Sequence, residues 1–234
     1  MRKISIITIV AILILLAIQG KGQDFGISAS FFLPKNGDFS APISPLSIRG
    51  VSLASAGIFS IDIGGSLYRM TGMSITTSEP IDTRKPMVGP FFNMMVPLEA
   101  VINLGNSNTA FLIKGGGFVF YNFGTKLNYG NIDRAMLDYL SLEIANSDFT
   151  FTNSLGFGYE FGLEFIQYLN RQFGITIGAN YYIGGANLNL KGTVKGVDAN
   201  GVVSTSTVDL KDSKLDYTGL EFSVGLLFSS GRRR

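Results

Sequence analysis

Two glutamates have a spacing that invites a catalytic interpretation. Glu160 and Glu164 lie four residues apart, and paired carboxyl groups perform acid–base chemistry in glycosidases. On a strand they would share one face but lie about 13 Å apart, which exceeds the roughly 9.5 Å limit of such enzyme pairs. The geometry favours a structural ion-pair role over catalysis.

A lysine followed by three glycines is the second candidate motif. The stretch "KGGGF" spans Lys114 to Phe118 and could suggest a phosphate-binding loop. It lacks the G-x-x-x-x-G-K-[ST] spacing, and the pattern after it predicts a strand rather than a helix. We interpret these glycines as small residues on one face of a strand.

The residue types missing from the sequence limit its chemistry further. The chain has no histidine and no cysteine, which removes the usual base for serine-dependent acyl transfer, the commonest zinc ligand and any disulfide. The acidic residues between 131 and 148 lack the dense spacing of a calcium loop; they are Asp133, Asp138, Glu143 and Asp148. We expect no catalytic residue, no cofactor, no metal site and no enzymatic activity.

A period of two dominates the segments that must position these residues. Large apolar residues alternate with small or polar ones, which is typical of β-strands. The segment around Gly50 is the weakest, because its parity slips there. Eight strands are predicted, at 25–33, 46–54, 59–67, 92–102, 111–121, 155–165, 173–183 and 219–228.

The small-residue face of these strands decides the fold. From Leu155 to Phe165 the residues between the large apolar ones are only glycine and glutamate, and glycine is poorly suited to strand interiors. Such a face fits the narrow interior of a closed eight-stranded barrel, with the apolar face in lipid. The predicted fold is all-β: an eight-stranded antiparallel up-and-down transmembrane β-barrel with a short loop helix.

The inward face also carries a set of charged residues. We expect them to form a salt-bridge network in the lumen, with some acids left over because bases are fewer. The predicted lumen residues are Arg49, Asp62, Glu99, Lys114, Glu160, Glu164 and Glu221. Pro97 lies within a strand and cannot donate a backbone hydrogen bond, so a bulge is expected there.

The connections alternate between tight and long, as in membrane barrels. Long links are predicted at 34–45, 71–89, 124–150 and 191–213. The third contains a helical pattern with Asn131 as N-cap, whose apolar positions are Ile132, Met136, Leu140 and Ile144. The fourth predicts a hairpin turning at 198–201. Interfacial aromatic residues are expected at Phe25, Phe91, Tyr121, Phe123, Tyr168, Tyr181, Tyr217 and Phe228.

The two ends of the chain differ in pattern from the barrel. Residues 1–22 have the basic start and the apolar run of a secretory signal peptide; residues 23–228 form the barrel and 229–234 a basic tail. Without Arg2, Lys3 and Lys21, the 19 basic residues fall to 16 against 17 acidic ones. The body therefore gives no support to nucleic-acid binding.

The last strand carries a family resemblance. "DYTGLEFSVGLLF" resembles the closing strand of a bacterial outer-membrane barrel, with Phe228 as its terminal aromatic residue. Residues 24–228 resemble the small OmpA-like outer-membrane β-barrel family. The resemblance implies a Gram-negative outer-membrane location, contact with outer-membrane lipid and insertion by the barrel-assembly machinery.

Three functions remain open from the sequence. The first is a structural or interaction role through the extracellular loops, for example with a protein partner in an envelope complex. The second is a narrow porin-like or OmpW-like channel for small solutes or apolar molecules. The third is a secreted lipocalin-like carrier, whose apolar face would point inward.

Overall fold

The computed structural model describes residues 25–229, without the side chains of 39–46. The predicted signal peptide at 1–22 and residues 230–234 of the predicted tail lie outside the described residues. The strands are β1 Phe25–Pro34, β2 Gly37–Ala56, β3 Phe59–Met73, β4 Ile75–Thr76, β5 Phe91–Gly105, β6 Thr109–Phe123, β7 Ile144–Thr150, β8 Gly156–Tyr168, β9 Phe173–Asn187, β10 Leu190–Val197, β11 Val203–Leu210, β12 Lys214–Asp216 and β13 Gly219–Phe228; one helix, α1, spans Tyr129–Leu140.

Eight of the strands close into a ring. The order is β1, β2, β3, β5, β6, β8, β9 and β13, and every pair is antiparallel. The ring closes where β13 pairs with β1, from Phe25 opposite Phe228 to Pro34 opposite Gly219. The predicted fold class is confirmed, because all eight predicted strands are present in the ring.

The two faces of the ring have the predicted orientation. On β8, Tyr159 is 70% exposed whereas its neighbour Glu160 is 1% exposed. The other barrel strands also point large apolar residues outward. A band of exposed apolar side chains around a closed barrel is the surface that lipid covers. This orientation is opposite to that of the lipocalin-like alternative.

The first predicted long link is wrong. Only Lys35 and Asn36 separate β1 from β2, and residues 37–42 pair with β3 instead of forming a loop. The prolines at 42 and 45 made this stretch resemble a loop. The pairing accommodates them with a register shift between Pro42 and Ser47.

The slip of the sequence pattern near Gly50 coincides with a register shift in the structure, whereas the bulge predicted at Pro97 is wrong. The pairing of β2 with β3 shifts register between Ile48 and Val51, and Gly50 has a φ of 66°. Strand β5 keeps one register with both neighbours through Pro97. The proline ring instead lies beside Gly64, where a Cβ would be 3.3 Å from the proline Cγ.

The loops form a folded unit, here called the cap, made of α1, β7, β10 and β11. The predicted hairpin is confirmed as β10 and β11, but these strands belong to a separate sheet of order β11-β10-β7 and do not extend the barrel strands. Strand β7, which the sequence pattern did not predict, pairs Ile144 with Val197.

The helix differs from its predicted bounds at both ends. Its N-cap is Asn128 rather than Asn131. It ends at Leu140 because Ser141 adopts a left-handed conformation and its backbone N–H donates to Leu137 O. Ile144, predicted on the apolar helix face, begins β7 and is 61% exposed. Within residues 25–229, no helix has both the length and the apolar character needed to cross a membrane.

Candidate functional site in the barrel lumen

Three inward carboxyl groups occupy one row around the barrel wall. Asp62 is opposite Glu99, Glu99 is opposite Gly116, and Gly116 is opposite Glu160. All three acids are buried. The alternation of side chains brings them to one level of the lumen, where Asp62 and Glu99 are direct cross-strand neighbours, and two like charges in such a pair destabilise the sheet.

Arg49 and Glu221 form the first ion pair of the lumen. Glu221 is fully buried and also accepts hydrogen bonds from Tyr68, from Tyr182 at 2.7 Å and from the Asn180 amide at 2.8 Å. This carboxylate is therefore satisfied by one cation and three neutral donors, which is the condition for burying a charge at tolerable cost.

Lys114 is shared between two acids. Its ammonium group pairs with Glu164 and lies 3.9 Å from Glu99 Oε1. All three side chains are largely buried. Lys114 therefore pairs with Glu164 and not with Glu160. The two glutamates that share a face of the predicted strand thus have different surroundings.

Two acids are left over, as the sequence predicted for an excess of acids. Both carboxylate oxygens of Glu160 lack a hydrogen-bond partner among the described residues, and so does Oδ1 of Asp62. The structure thus brings all seven predicted lumen residues inside the barrel but pairs only five of them.

Aromatic residues fill the loop-side half of the lumen, which sequence reasoning missed. This group, here called the plug, packs with ring centroids as close as 4.6 Å between Phe120 and Tyr217 and 4.8 Å between Phe32 and Tyr217. Its members are Phe32, Tyr68, Phe118, Phe120, Tyr182 and Tyr217. The available signal was parity, because Phe118 and Phe120 share the face of Lys114.

Two predicted interfacial aromatic residues are corrected by the plug and its surroundings. Tyr217 is fully buried and its hydroxyl donates to Asn93 Oδ1 at 3.2 Å. Phe91 is buried in the same hydrophobic core. Tyr217 lies between β12 and β13, so the chain carries it inward over the barrel rim instead of along the outer surface.

A chamber of about 460 Å³ occupies the turn-side half of the lumen. It extends from the turn at Gly57 and Ile58 to Arg49, Asp62 and Lys114. The ion pairs and the plug lie between this chamber and the loops. The lumen is therefore a polar vestibule on one side and a packed apolar core on the other.

Phe228 occupies the end of the closing strand. Its ring stacks on Phe25 with centroids 5.0 Å apart and meets Phe173 edge-on at 5.4 Å. The three rings come from β13 and its two neighbours, so they form an aromatic cluster at the turn-side rim.

The loop between β4 and β5 is tied to the cap by hydrogen bonds. Tyr139 donates to Glu79 at 3.1 Å, which raises the pKa of the tyrosine, and Asn131 donates to Pro86 O at 2.7 Å. Asp212 accepts from the Ser78 N–H at 2.6 Å and from the Thr77 hydroxyl at 3.1 Å, and these bonds, chiefly those from Ser78, lower its pKa.

One of the loop acids connects two elements of the cap. Asp133 accepts a hydrogen bond from the Ser147 N–H at 2.8 Å, which joins α1 to β7. Residues 25–229 contain no group of three histidine, cysteine or acidic side chains that could hold a metal ion.

No protein-family model matches the chain, and no curated protein matches it. Solved structures do match. OprG from Pseudomonas aeruginosa has 10% identity over 89% of this chain and 95% of its own, with a TM-score of 0.47. A major outer membrane protein from Thermus thermophilus has 12% identity over 88% and 98%, with a TM-score of 0.43. Outer membrane protein W from E. coli has 10% identity over 90% and 99%, with a TM-score of 0.39.

The fold itself decides the assignment. A closed antiparallel ring, an exposed apolar belt and an inward charged face are together the features of a barrel that lipid surrounds. Tight turns lie at one rim, and longer connections lie at the other except for the two-residue link between β1 and β2. As the strand pattern predicted, the described chain is a small eight-stranded antiparallel β-barrel with an apolar outer belt and a charged interior.

Proposed function

We propose that this protein is a non-conducting outer-membrane barrel that presents its cap as a binding surface for an envelope or cell-surface partner. The observation that carries the proposal is one continuous hydrophobic core that joins the plug to the cap. Phe118 and Tyr217 of the plug belong to the same core as Ile132 of α1 and Val194 of β10. Catalysis is not part of this proposal.

The shared core supports both halves of the proposal. The plug residues are at most 3% exposed, and aromatic packing at interior density would block a continuous water path between the turn-side chamber and the loops. The same contacts fix the cap on the barrel, and a rigid surface loses less entropy when it binds a partner.

The outer tip of the cap provides the apolar surface that binding would use. Val203 is 71% exposed and pairs with Val197, which in turn pairs with Ile144 of β7. Adjacent apolar residues from three strands thus meet at the tip, and apolar patches exposed to water commonly mark interaction sites.

Planar-bilayer recordings test the first half of the proposal. The wild-type barrel should show no steady openings, whereas the double variant Phe120→Ala, Tyr217→Ala should conduct and thereby show that the assay detects an open lumen. Steady openings of the wild type would overturn the proposal and favour the channel alternative.

Cross-linking in the native outer membrane tests the second half. A stoichiometric partner should be recovered with the wild type and with Thr205→Asp, an exposed position on the same strand, but not with Val203→Asp. Equal recovery with both variants would place binding away from the tip and would contradict this role. Contact with outer-membrane lipid and insertion by the barrel-assembly machinery are part of the same proposal.

A further inference from the structure

One charged residue lies on the outward face of the barrel. Arg69 of β3 is exposed, whereas its neighbours Tyr68 and Met70 are buried in the lumen. A charge on the face that lipid covers is costly at the middle of a membrane and is tolerated near the headgroups. The other charged residues of the eight described barrel strands have inward parity; they are Asp38, Arg49, Asp62, Glu99, Lys114, Glu160, Glu164 and Glu221.

Arg69 lies at the loop-side edge of the apolar belt. It follows Phe59, the first residue of β3 after a tight turn, by ten residues. Because strands of a membrane barrel rise about 3.3 Å per residue and tilt by about 40°, Arg69 is roughly 25 Å above Phe59. The apolar belt of such barrels is about 25 Å tall, so the guanidinium group is at the level of the lipid headgroups.

The protein provides no counter-charge for Arg69 at this level. Its neighbours across the strands are Ala41 on β2 and Phe92 on β5. The ring of Phe92 stacks on that of Phe123 with centroids 5.6 Å apart, which is typical of the aromatic girdle at a membrane boundary. Arg69 belongs to none of the ion pairs among the described residues, so its charge is open to a group from outside the protein.

A second base lies further toward the loops on the same side. Lys126 is exposed, and the next residue, Leu127, packs against the hydrophobic core, so Lys126 has outward parity. The Gly89 N–H donates to Lys126 O at 2.8 Å, and a Cβ on Gly89 would lie 2.7 Å from Gly72 Cα. Lys126 and Gly72 thus flank Gly89, which places the lysine about three residues beyond the level of Arg69.

We propose that Arg69 and Lys126 bind the phosphate group of an anionic lipid at the loop-side edge of the membrane. A guanidinium group binds two phosphate oxygens through parallel N–H bonds, and an ammonium group adds a second positive charge. Long basic side chains at a membrane boundary extend their charged ends toward the headgroups. The site rests on the lipid contact of the proposed function, but not on the cap or its partner.

Quenching of a single tryptophan by brominated lipids tests the proposal. The chain has no tryptophan, so Phe92→Trp detects the lipid beside Arg69. Tyr181→Trp is the matched control, because its neighbours across the strands are Leu220 and Phe161. The full barrel is placed in phosphatidylcholine vesicles with equal fractions of phosphatidylglycerol or phosphatidylcholine brominated near the headgroup end of the chains. We expect stronger quenching by phosphatidylglycerol at Phe92→Trp and equal quenching by both lipids at Tyr181→Trp.

Charge variants in the Phe92→Trp background identify the binding groups. Arg69→Gln should abolish the preference for phosphatidylglycerol and Lys126→Gln should reduce it. Arg69→Lys keeps the charge and should retain the preference, as should Arg84→Gln, whose exposed arginine already pairs with Asp82. Equal quenching by the two lipids at Phe92→Trp, or a preference that survives Arg69→Gln, would overturn the proposal. Heat-dependent gel migration verifies that each variant is folded.

The same measurements separate this site from the proposed function. If neither lipid quenched either tryptophan, lipid contact itself would be contradicted, and with it the membrane part of the proposed function. Sodium phosphate, compared with sodium chloride at equal ionic strength, should leave the preference unchanged. A preference removed by phosphate alone would assign the site to a free anion and would overturn the lipid proposal.

Discussion

Arg49 and Glu221 form an ion pair that bridges strand β1 from inside the barrel. The two residues lie 172 positions apart in sequence, on β2 and β13, which are the two neighbours of β1 in the ring. Their contact therefore links the first and last thirds of the chain across the seam where the barrel closes.

Neutralising the acid of this pair should destabilise the barrel strongly. Glu221→Gln leaves the buried guanidinium of Arg49 without its counter-charge, and breaking such a pair costs about 3–5 kcal/mol. We expect a lower free energy of unfolding in urea titrations of the barrel in lipid vesicles. Because the chain has no tryptophan, circular dichroism is a suitable signal.

The matched control is Glu143→Gln, which removes an exposed cap carboxylate. It should leave the free energy of unfolding within about 0.5 kcal/mol of the wild type. Equal effects of the two substitutions would show that the buried pair contributes nothing specific to stability.

Removing the unpaired acid should have the opposite effect. Both oxygens of Glu160 lack partners among the described residues and its side chain is buried, so Glu160→Gln removes a buried acid that no base compensates, without changing the shape of the side chain. An unsatisfied buried group costs about 1–3 kcal/mol, and we expect the free energy of unfolding to rise by part of that amount in the same titration.

Glu164→Gln is the comparison for this prediction, because it lies further along the same face of β8 and pairs with Lys114. It should lower the free energy of unfolding. If both glutamine variants destabilised the barrel alike, Glu160 would have a stabilising partner that the static structure lacks.

Strand parity was predictable because it is a local property. Successive side chains on a strand point to opposite faces, so the alternation around Glu160 assigns its direction without knowledge of any distant residue. The same argument placed Arg49, Lys114 and Glu221 inside. It could not choose their partners, because Arg49 meets Glu221 only once the ring has closed.

The cap was less predictable because its pairings are long-range. Ile144 has helical spacing from Ile132 and Met136, but it pairs with Val197 on a strand that follows much later in the chain. A single left-handed residue, Ser141, ends the helix before it. The local hydrophobic periodicity indicates neither the end of the helix nor the pairing of the strand.

The plug shows a similar limit. The alternation placed Phe118 and Phe120 on the inward face of the strand. These two rings need a further aromatic side chain to fill the lumen. Tyr217 supplies it from a connection rather than from a barrel strand, so the alternation rule had no position to assign it.

Gly116 should tolerate no larger residue, because the neighbouring backbone approaches it closely. A Cβ there would lie 2.9 Å from Glu99 Cα and would also overlap the Leu98 backbone. Gly116→Ala should therefore lower the free energy of unfolding by about 1–3 kcal/mol, as overpacking typically does.

The adjacent Gly117 is the control. A Cβ there would lie 3.6 Å from Gly158 O, which is an ordinary contact, so Gly117→Ala should fold with nearly wild-type stability. A tolerated Gly116→Ala would mean that β5 and β6 lie further apart than described.

Lowering the pH should break the hydrogen bonds that Thr77 and Ser78 donate to Asp212. Hydrogen bonds from these residues lower the pKa of Asp212 below its ordinary value of 3.8. The Asp212 carboxylate therefore binds a proton less readily in the folded chain than in the unfolded chain. The stabilisation from its hydrogen bonds is complete above pH 3.8 and is lost as the pH falls through the lowered pKa of the folded state. Hydrogen exchange at the Ser78 N–H, corrected for its intrinsic rate, should show protection at neutral pH that disappears in strong acid.

Asp212→Ala should remove the protection at neutral pH, whereas Asp209→Ala, which removes an exposed pair with Lys211, should keep it. Protection that persists in acid would assign it to the surrounding loop packing and not to the carboxylate.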